Sequence, residues 1–122
     1  MMEAAVTIII DKEERILLLK RMTPQKDFGG FWGFPGGAVE DGETYEECAI
    51  RETQEEAGLL VSNLKYVGTD RGFVWIFTTR NYSGTPTLNF EHTDFAWVSI
   101  AELPNYNTIP GTSRLIKEAS VL

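Results

Sequence analysis

Residues 36–59 read GGAVEDGETYEECAIRETQEEAGL, a stretch that crowds carboxylates around a single arginine, Arg51, between glycines at both ends. On a helix turning about 100° per residue with Glu52 at zero, Glu56 falls near +40° and Glu55 near −60°. The three carboxylates therefore share one arc, while Ile50, Thr53 and Ala57 gather on another side as a core face. Arg51 precedes Glu55 by one turn, where the two side chains can pair. Like charges at this spacing cost a helix roughly a few tenths of a kcal/mol per pair. The acidic arc is either a solvated face or a site for a hard cation such as Mg²⁺, which takes oxygen ligands and keeps several waters. A Pro-Gly-Gly turn at residues 35–37 lets backbone approach a ligand closely. Its glycines, Gly36 and Gly37, can present carbonyl oxygen to a metal.

The spacing also carries a family resemblance. Gly37, Glu43, Arg51-Glu52, Glu55-Glu56, Gly58 and Leu59 stand at the positions of the Nudix hydrolase box; the departure is Thr53, where an aliphatic residue is usual. "WGFPGG" before the box and "WVSIAELP" after it extend the resemblance over most of the chain. The resemblance implies an α/β fold, a Nudix-type α/β/α sandwich with a mixed β-sheet. It also implies hydrolysis of a nucleoside diphosphate linked to another group. Glu52, Glu55 and Glu56 then hold Mg²⁺ (or Mn²⁺), with the Gly36 carbonyl as a further ligand. Glu43 acts through its contacts, and Arg51 orients a glutamate. For the base that takes the proton of the attacking water, Glu55 or Glu56 is the choice inside the box. Glu91, just upstream of the "WVS" strand, is the choice on a later loop, ahead of Asp94.

The substrate is read by elimination. The region past the box, "DRGFVWIFT", has neither the Pro of members acting on ADP-ribose nor the Tyr of those acting on dinucleoside polyphosphates. What is left resembles the small MutT-type enzymes, which convert a nucleoside triphosphate to the monophosphate and pyrophosphate. "IPGTSR" lacks the Asn that marks a preference for oxidised guanine. The alternatives are a Nudix hydrolase of a nucleotide sugar or dinucleotide, and a non-catalytic nucleotide-binding module. Arg21 is a candidate phosphate contact; Phe28, Phe73, Tyr82 and Tyr106 lie near loops where a ring can stack on a base. His92 is the only histidine, which excludes a multi-histidine zinc site, and no nucleophile elbow accompanies it. Cys48 reads as a small packed residue. Trp32, Trp75 and Trp97 read as packing aromatics.

These groups need a scaffold. Ala4–Ile10 is β-branched and reads as a strand, with Ile16–Lys20 pairing back on it as a hairpin through "DKEER". Residues 22–30 read as a polar loop. "FWGFPGG" holds too much Gly and Pro for a regular element, with short strands at its flanks. Thr44 and Glu47 form a capping box that starts a helix, and Gly58 ends it. Leu64–Thr69, Phe73–Arg80 and Phe95–Ile100 read as strands, "NYSGTPT" as a turn or loop, "SIAELP" as a short capped helical turn, and Thr112–Ser120 as the last helix.

The 122 residues read as one domain, 1–122. The net charge of −7 argues against a nucleic-acid partner and means that an anionic substrate must be met by cations. One cysteine excludes an internal disulfide and fits a reducing, cytoplasmic setting. "AAVTIII" is too short to span a membrane and lacks the basic flank of a signal peptide. The expected partner is a small-molecule nucleotide, and a homodimer is left open.

Overall fold

A computed structural model describes residues 2–23 and 28–122. Strand β1 (Ala4–Ile9) lies between β4 (Gly36–Ala38), antiparallel to it, and β7 (Val74–Thr79), parallel to it. β6 (Lys65–Asp70) completes this mixed sheet by pairing with β7. A second, antiparallel sheet runs β3 (Trp32–Gly33), β2 (Ile16–Arg21), β9 (His92–Val98). β5 (Leu60–Ser62) and β8 (Asn81–Ser83) form a separate ribbon. Helix α1 (Tyr45–Ala57) and helix α2 (Thr112–Ser120) lie on opposite faces, and a 3₁₀ turn (Ile100–Asn105) precedes α2.

Strand alternation divides the core. Ile8 of β1, Leu18 of β2 and Ile76 of β7 pack with Leu115 and Ile116 of α2. Ile9, Leu17 and Leu19 face the other way and meet Ala57 and Leu59 at the end of α1. Ala5 and Phe77 meet Cys48 and Ala49. A strand buried on both faces belongs in the middle of a sheet, and each fully buried Ile stabilises the fold by about 1.5–3 kcal/mol.

This is why the expected β1–β2 hairpin does not form. The turn is present, built by Asp11, whose carboxylate accepts from the backbone N–H of Glu13 and of Arg15 and pairs with the Arg15 side chain. Beyond a single bridge between Ile10 and Ile16 the two strands diverge, each taking a different sheet. Three further expectations are corrected. Short strands occur inside "FWGFPGG", at Trp32–Gly33 and Gly36–Ala38. Residues 81–83 of "NYSGTPT" are a strand that pairs with the unforeseen β5. The strand placed at Phe95–Ile100 begins earlier, at His92, directly after Glu91. The loop expected at 22–30 falls partly outside the described residues. Among the described residues no helix is long and apolar enough to cross a membrane.

Candidate active site

Local chemistry sets α1 in place. The Thr44 hydroxyl accepts the Glu47 N–H at 3.0 Å, and the Glu47 carboxylate accepts the Thr44 N–H at 2.8 Å. Gly58 closes the helix at φ 68°, a conformation in which a side chain is strained and a Cβ would also meet Thr87 at 3.0 Å. Thr53, the departure from the aliphatic pattern, is fully buried against β1. Its hydroxyl is satisfied by the Ala49 carbonyl at 2.7 Å and lies 3.2 Å from the Thr7 hydroxyl.

Across the acidic arc burial rises steeply. The Glu55 side chain is 54% exposed, that of Glu52 14%, and Glu56 as a residue only 2%. Arg51 lies among the outer carboxylates. Its Nε and Nη2 grip Glu43 at 2.7 and 3.0 Å, its Nη1 reaches Glu52 at 2.8 Å and Glu55 at 3.0 Å, and Nη2 also donates to the Ala38 carbonyl at 3.1 Å. The Arg51 hydrogen bonds hold the Glu43 carboxyl down at about 2. Glu52 is pushed above the usual carboxylate range by burial, with Arg51 opposing.

Glu56 faces inward instead. The Gly36 N–H donates to it at 2.8 Å, tying α1 to β4. Burial pushes its carboxyl up to about 8, against that N–H, with the charges of Glu52 and Glu91 adding to the rise. The Glu91 side chain comes within hydrogen-bonding reach of Glu56 and its charge is felt at Glu52. The Glu91 carbonyl anchors the loop by accepting the Met22 N–H at 2.9 Å. Asp94, by contrast, is exposed on β9 and accepts the N–H of Phe95. The structure thus brings Glu91 to the box and leaves Asp94 outside.

Whether this set suits a metal is decided by its chemistry. Among the described residues no three acidic, histidine or cysteine side chains already converge as a cation cage. The donors are nonetheless all hard oxygens, and Glu56 is buried beside two like charges. Such a group must take up a proton or a cation. Gly37 leaves the room: a Cβ there would stand 2.6 Å from the Glu52 carboxylate. The set fits a hard divalent cation.

Next to these carboxylates, across β4, opens a cleft of about 640 Å³ lined by Arg21, Phe28, Gly36, Gly37, Arg71 and Phe73 among others. Of the substrate contacts foreseen from sequence, Arg21, Phe28 and Phe73 are on its wall. Tyr82 is not. It pairs with Val61 in the β5–β8 ribbon, stacks on Trp97 at 5.4 Å, and borders a separate cavity of about 350 Å³. Arg71 was missed as a wall residue, because the β6–β7 turn carries no local signal of what lies across from it. Trp32 packs edge-on to Tyr106 and Trp75 stacks on Tyr45. Cys48 is buried, with its thiol pushed up to about 11 by burial. His92 is buried and held neutral, down at about 4, chiefly by burial.

The NUDIX domain family model matches residues 1–119. An 8-oxo-dGTP diphosphatase of Proteus vulgaris is 42% identical over 66 residues, 53% of this chain and 57% of that protein. An ADP-ribose pyrophosphatase of Methanocaldococcus jannaschii is 50% identical over 56 residues, 46% of this chain and 32% of that protein. The chain therefore spans little more than half of the first relative and about a third of the second. A solved MutT structure, from work on the Aliivibrio salmonicida and Vibrio cholerae proteins, superposes with a TM-score of 0.79 at 28% identity over 99% of this chain and 98% of that one.

Proposed function

Because this chain belongs to the Nudix hydrolase family, we propose that it is a divalent-metal-dependent pyrophosphohydrolase whose substrate is a nucleoside triphosphate, cleaved to the monophosphate and pyrophosphate. The observation that carries this reading is Glu56, a 2% exposed carboxylate set beside Glu52 and Glu91 and bonded to Gly36, a residue of the cleft wall. Burying like charges together costs stability, and carboxylates perturbed in this way cluster at functional sites. Glu52, Glu55 and Glu56 with the Gly36 carbonyl would hold Mg²⁺ or Mn²⁺. Bound there, the ion neutralises phosphoanhydride charge and lowers the pKa of a water.

The remaining roles belong to the chain. Arg51 positions Glu52 and Glu55 from the protein side, so that the carboxylates stay spread rather than collapsing on one another. The Gly36 N–H fixes Glu56. Glu91, on its backbone anchor to Met22, is within reach of that same carboxyl and would take a proton from the attacking water. Arg21 lines the cleft as a cation where an anionic substrate must enter a protein of net charge −7. The cleft volume is in the range for a small-molecule site of about 300–1,000 Å³. The MutT-like fold and the diphosphatase relative support a triphosphate substrate. The reaction takes place on free nucleotides in the cytoplasm under this reading.

The test is release of pyrophosphate or phosphate across a panel of nucleoside triphosphates, nucleotide sugars and dinucleotides with Mg²⁺. Pyrophosphate from triphosphates is expected. Turnover confined to ADP-ribose or a nucleotide sugar would replace the substrate class and keep the chemistry. Nucleotide binding with no turnover on any substrate would overturn the enzyme reading.

A further inference from the structure

Arg71 stands in an unusual place. It occupies the turn between β6 and β7 with φ 53°, the left-handed region that a bulky residue rarely adopts. There its guanidinium carbon lies 5.8 Å from the centre of the Phe28 ring and 5.6 Å from that of Phe73, all three on the cleft wall. The Arg71 Nε donates to Asp70 Oδ2 at 3.1 Å, and the other oxygen of Asp70 takes Arg114 Nη2 at 3.0 Å. Asp70 is thus fully engaged and braces Arg71 from behind. The two Nη groups of Arg71 make no hydrogen bond among the described residues. Behind the rings the wall turns apolar, with Val74, Ile76 and Leu115.

The geometry points to Arg71 as a clamp over the base of the nucleotide, a proposal that rests on the nucleotide reading above. A base stacked between a guanidinium and a ring needs about 7 Å between them, twice a van der Waals contact of roughly 3.5 Å. The present 5.6 Å over Phe73 is short of this by an amount that a small swing of the side chain supplies. In the free protein the guanidinium covers the aromatic rings; with ligand it covers the base. A guanidinium stacked on a base meets its face and not its edge, so the clamp serves guanine and adenine alike.

Arg71→Asn tests this without straining the turn, since Asn tolerates positive φ. Its KM for GTP and for ATP should each rise roughly tenfold, the scale of a cation–π contact. Its kcat should stay within about twofold, because the clamp touches the base and not the reacting phosphates. Arg71→Lys should resemble Arg71→Asn, because an ammonium has no planar face to stack. An unchanged KM in Arg71→Asn, full rescue by Lys, or an equal fall in kcat would each overturn the clamp. Guanosine, which has no phosphate, is titrated into the EDTA-treated protein and followed by NMR to separate this from the reaction assignment. Binding to the wild type and loss in Arg71→Asn upholds the clamp even if no triphosphate is hydrolysed. Failure of the wild type to bind guanosine overturns it even if triphosphates are hydrolysed.

Discussion

Removing Arg51 is the sharpest perturbation of this site. Its guanidinium is only 24% exposed and serves two carboxylates that are buried further, Glu43 at 13% and Glu52 at 14%; Glu55, at 54%, gains little from it. In Arg51→Met the side-chain volume is kept and the charge lost. Glu43 and Glu52 are then left in place without their cation, next to Glu56. Breaking a buried pair by removing one partner costs about 3–5 kcal/mol, and the partial exposure here places the loss near the lower end, about 3 kcal/mol. For a chain of 122 residues that corresponds to a fall in Tm of about 12 °C. Calorimetric or circular-dichroism melts in EDTA measure it, with Glu43→Gln and the double variant closing a cycle. The double loss should be clearly smaller than the sum of the single losses, since both remove the same bonds. Mg²⁺ should restore part of the stability of Arg51→Met, because a divalent cation answers the same crowded charge. A loss in Arg51→Met below about 1 kcal/mol would refute the reasoning and reduce the network to a set of surface ion pairs.

Further outcomes are expected. EDTA should abolish turnover, and Mg²⁺ or Mn²⁺ should restore it; full turnover in metal-free protein would sink the assignment of Glu52, Glu55 and Glu56. Glu55→Gln should lose at least ~10²-fold in rate with a metal-free fold no less stable, since it removes one of the crowded charges. Glu91→Gln should lower kcat far more than it raises KM, while Asp94→Asn, exposed on β9, should do much less; equal small effects would return proton abstraction to the box glutamates. At Gly36 a methyl group would stand 2.4 Å from the Ala5 carbonyl oxygen and 2.6 Å from the Val6 Cα, so Gly36→Ala should lower Tm by breaking the β1–β4 pairing. At Gly37 the three atoms nearest the methyl all belong to the Glu52 carboxylate, so Gly37→Ala should act mainly on rate. Acid should reveal Glu43: its folded pKa, about 2, lies below the ordinary 4.5, so its contribution is present above 4.5 and is lost as pH falls towards 2. Over that window the Tm of the wild type should fall more steeply than that of Glu43→Gln.

What sequence alone determined is what local chemistry controls. The start of α1 rests on side chains three residues apart, Thr44 and Glu47, and its end on a glycine that tolerates φ 68°. The span read as the last helix, Thr112–Ser120, is the one observed, and the second capping box, Ser99 with Glu102, rests on the same local bonds. The acidic arc was legible because a helix fixes relative angles whatever it packs against. Arg51 beside Glu55 followed from i,i+4 spacing.

Tertiary structure alone decided what that arc means. The wheel sets Glu52, Glu55 and Glu56 within one arc, but only the approach of β4 and of the loop before β9 makes Glu56 buried and Glu55 exposed. The preference for Glu91 over Asp94 was read from position in the chain. That Glu91 rather than Asp94 approaches the box follows from the strand start at His92 and the Met22 anchor, neither of which has a local signal. The partnership of β1 and β2 could not be read from their adjacency. A turn of five residues suits a hairpin, yet two strands each rich in apolar residues gain more by entering separate sheets, where both of their faces are covered. Tyr82 and Arg71 make the same point from opposite sides. Both sit near turns in the sequence; packing turns one onto Trp97 and sets the other over Phe28 and Phe73, because a long-range contact depends on which surfaces the whole chain must bury.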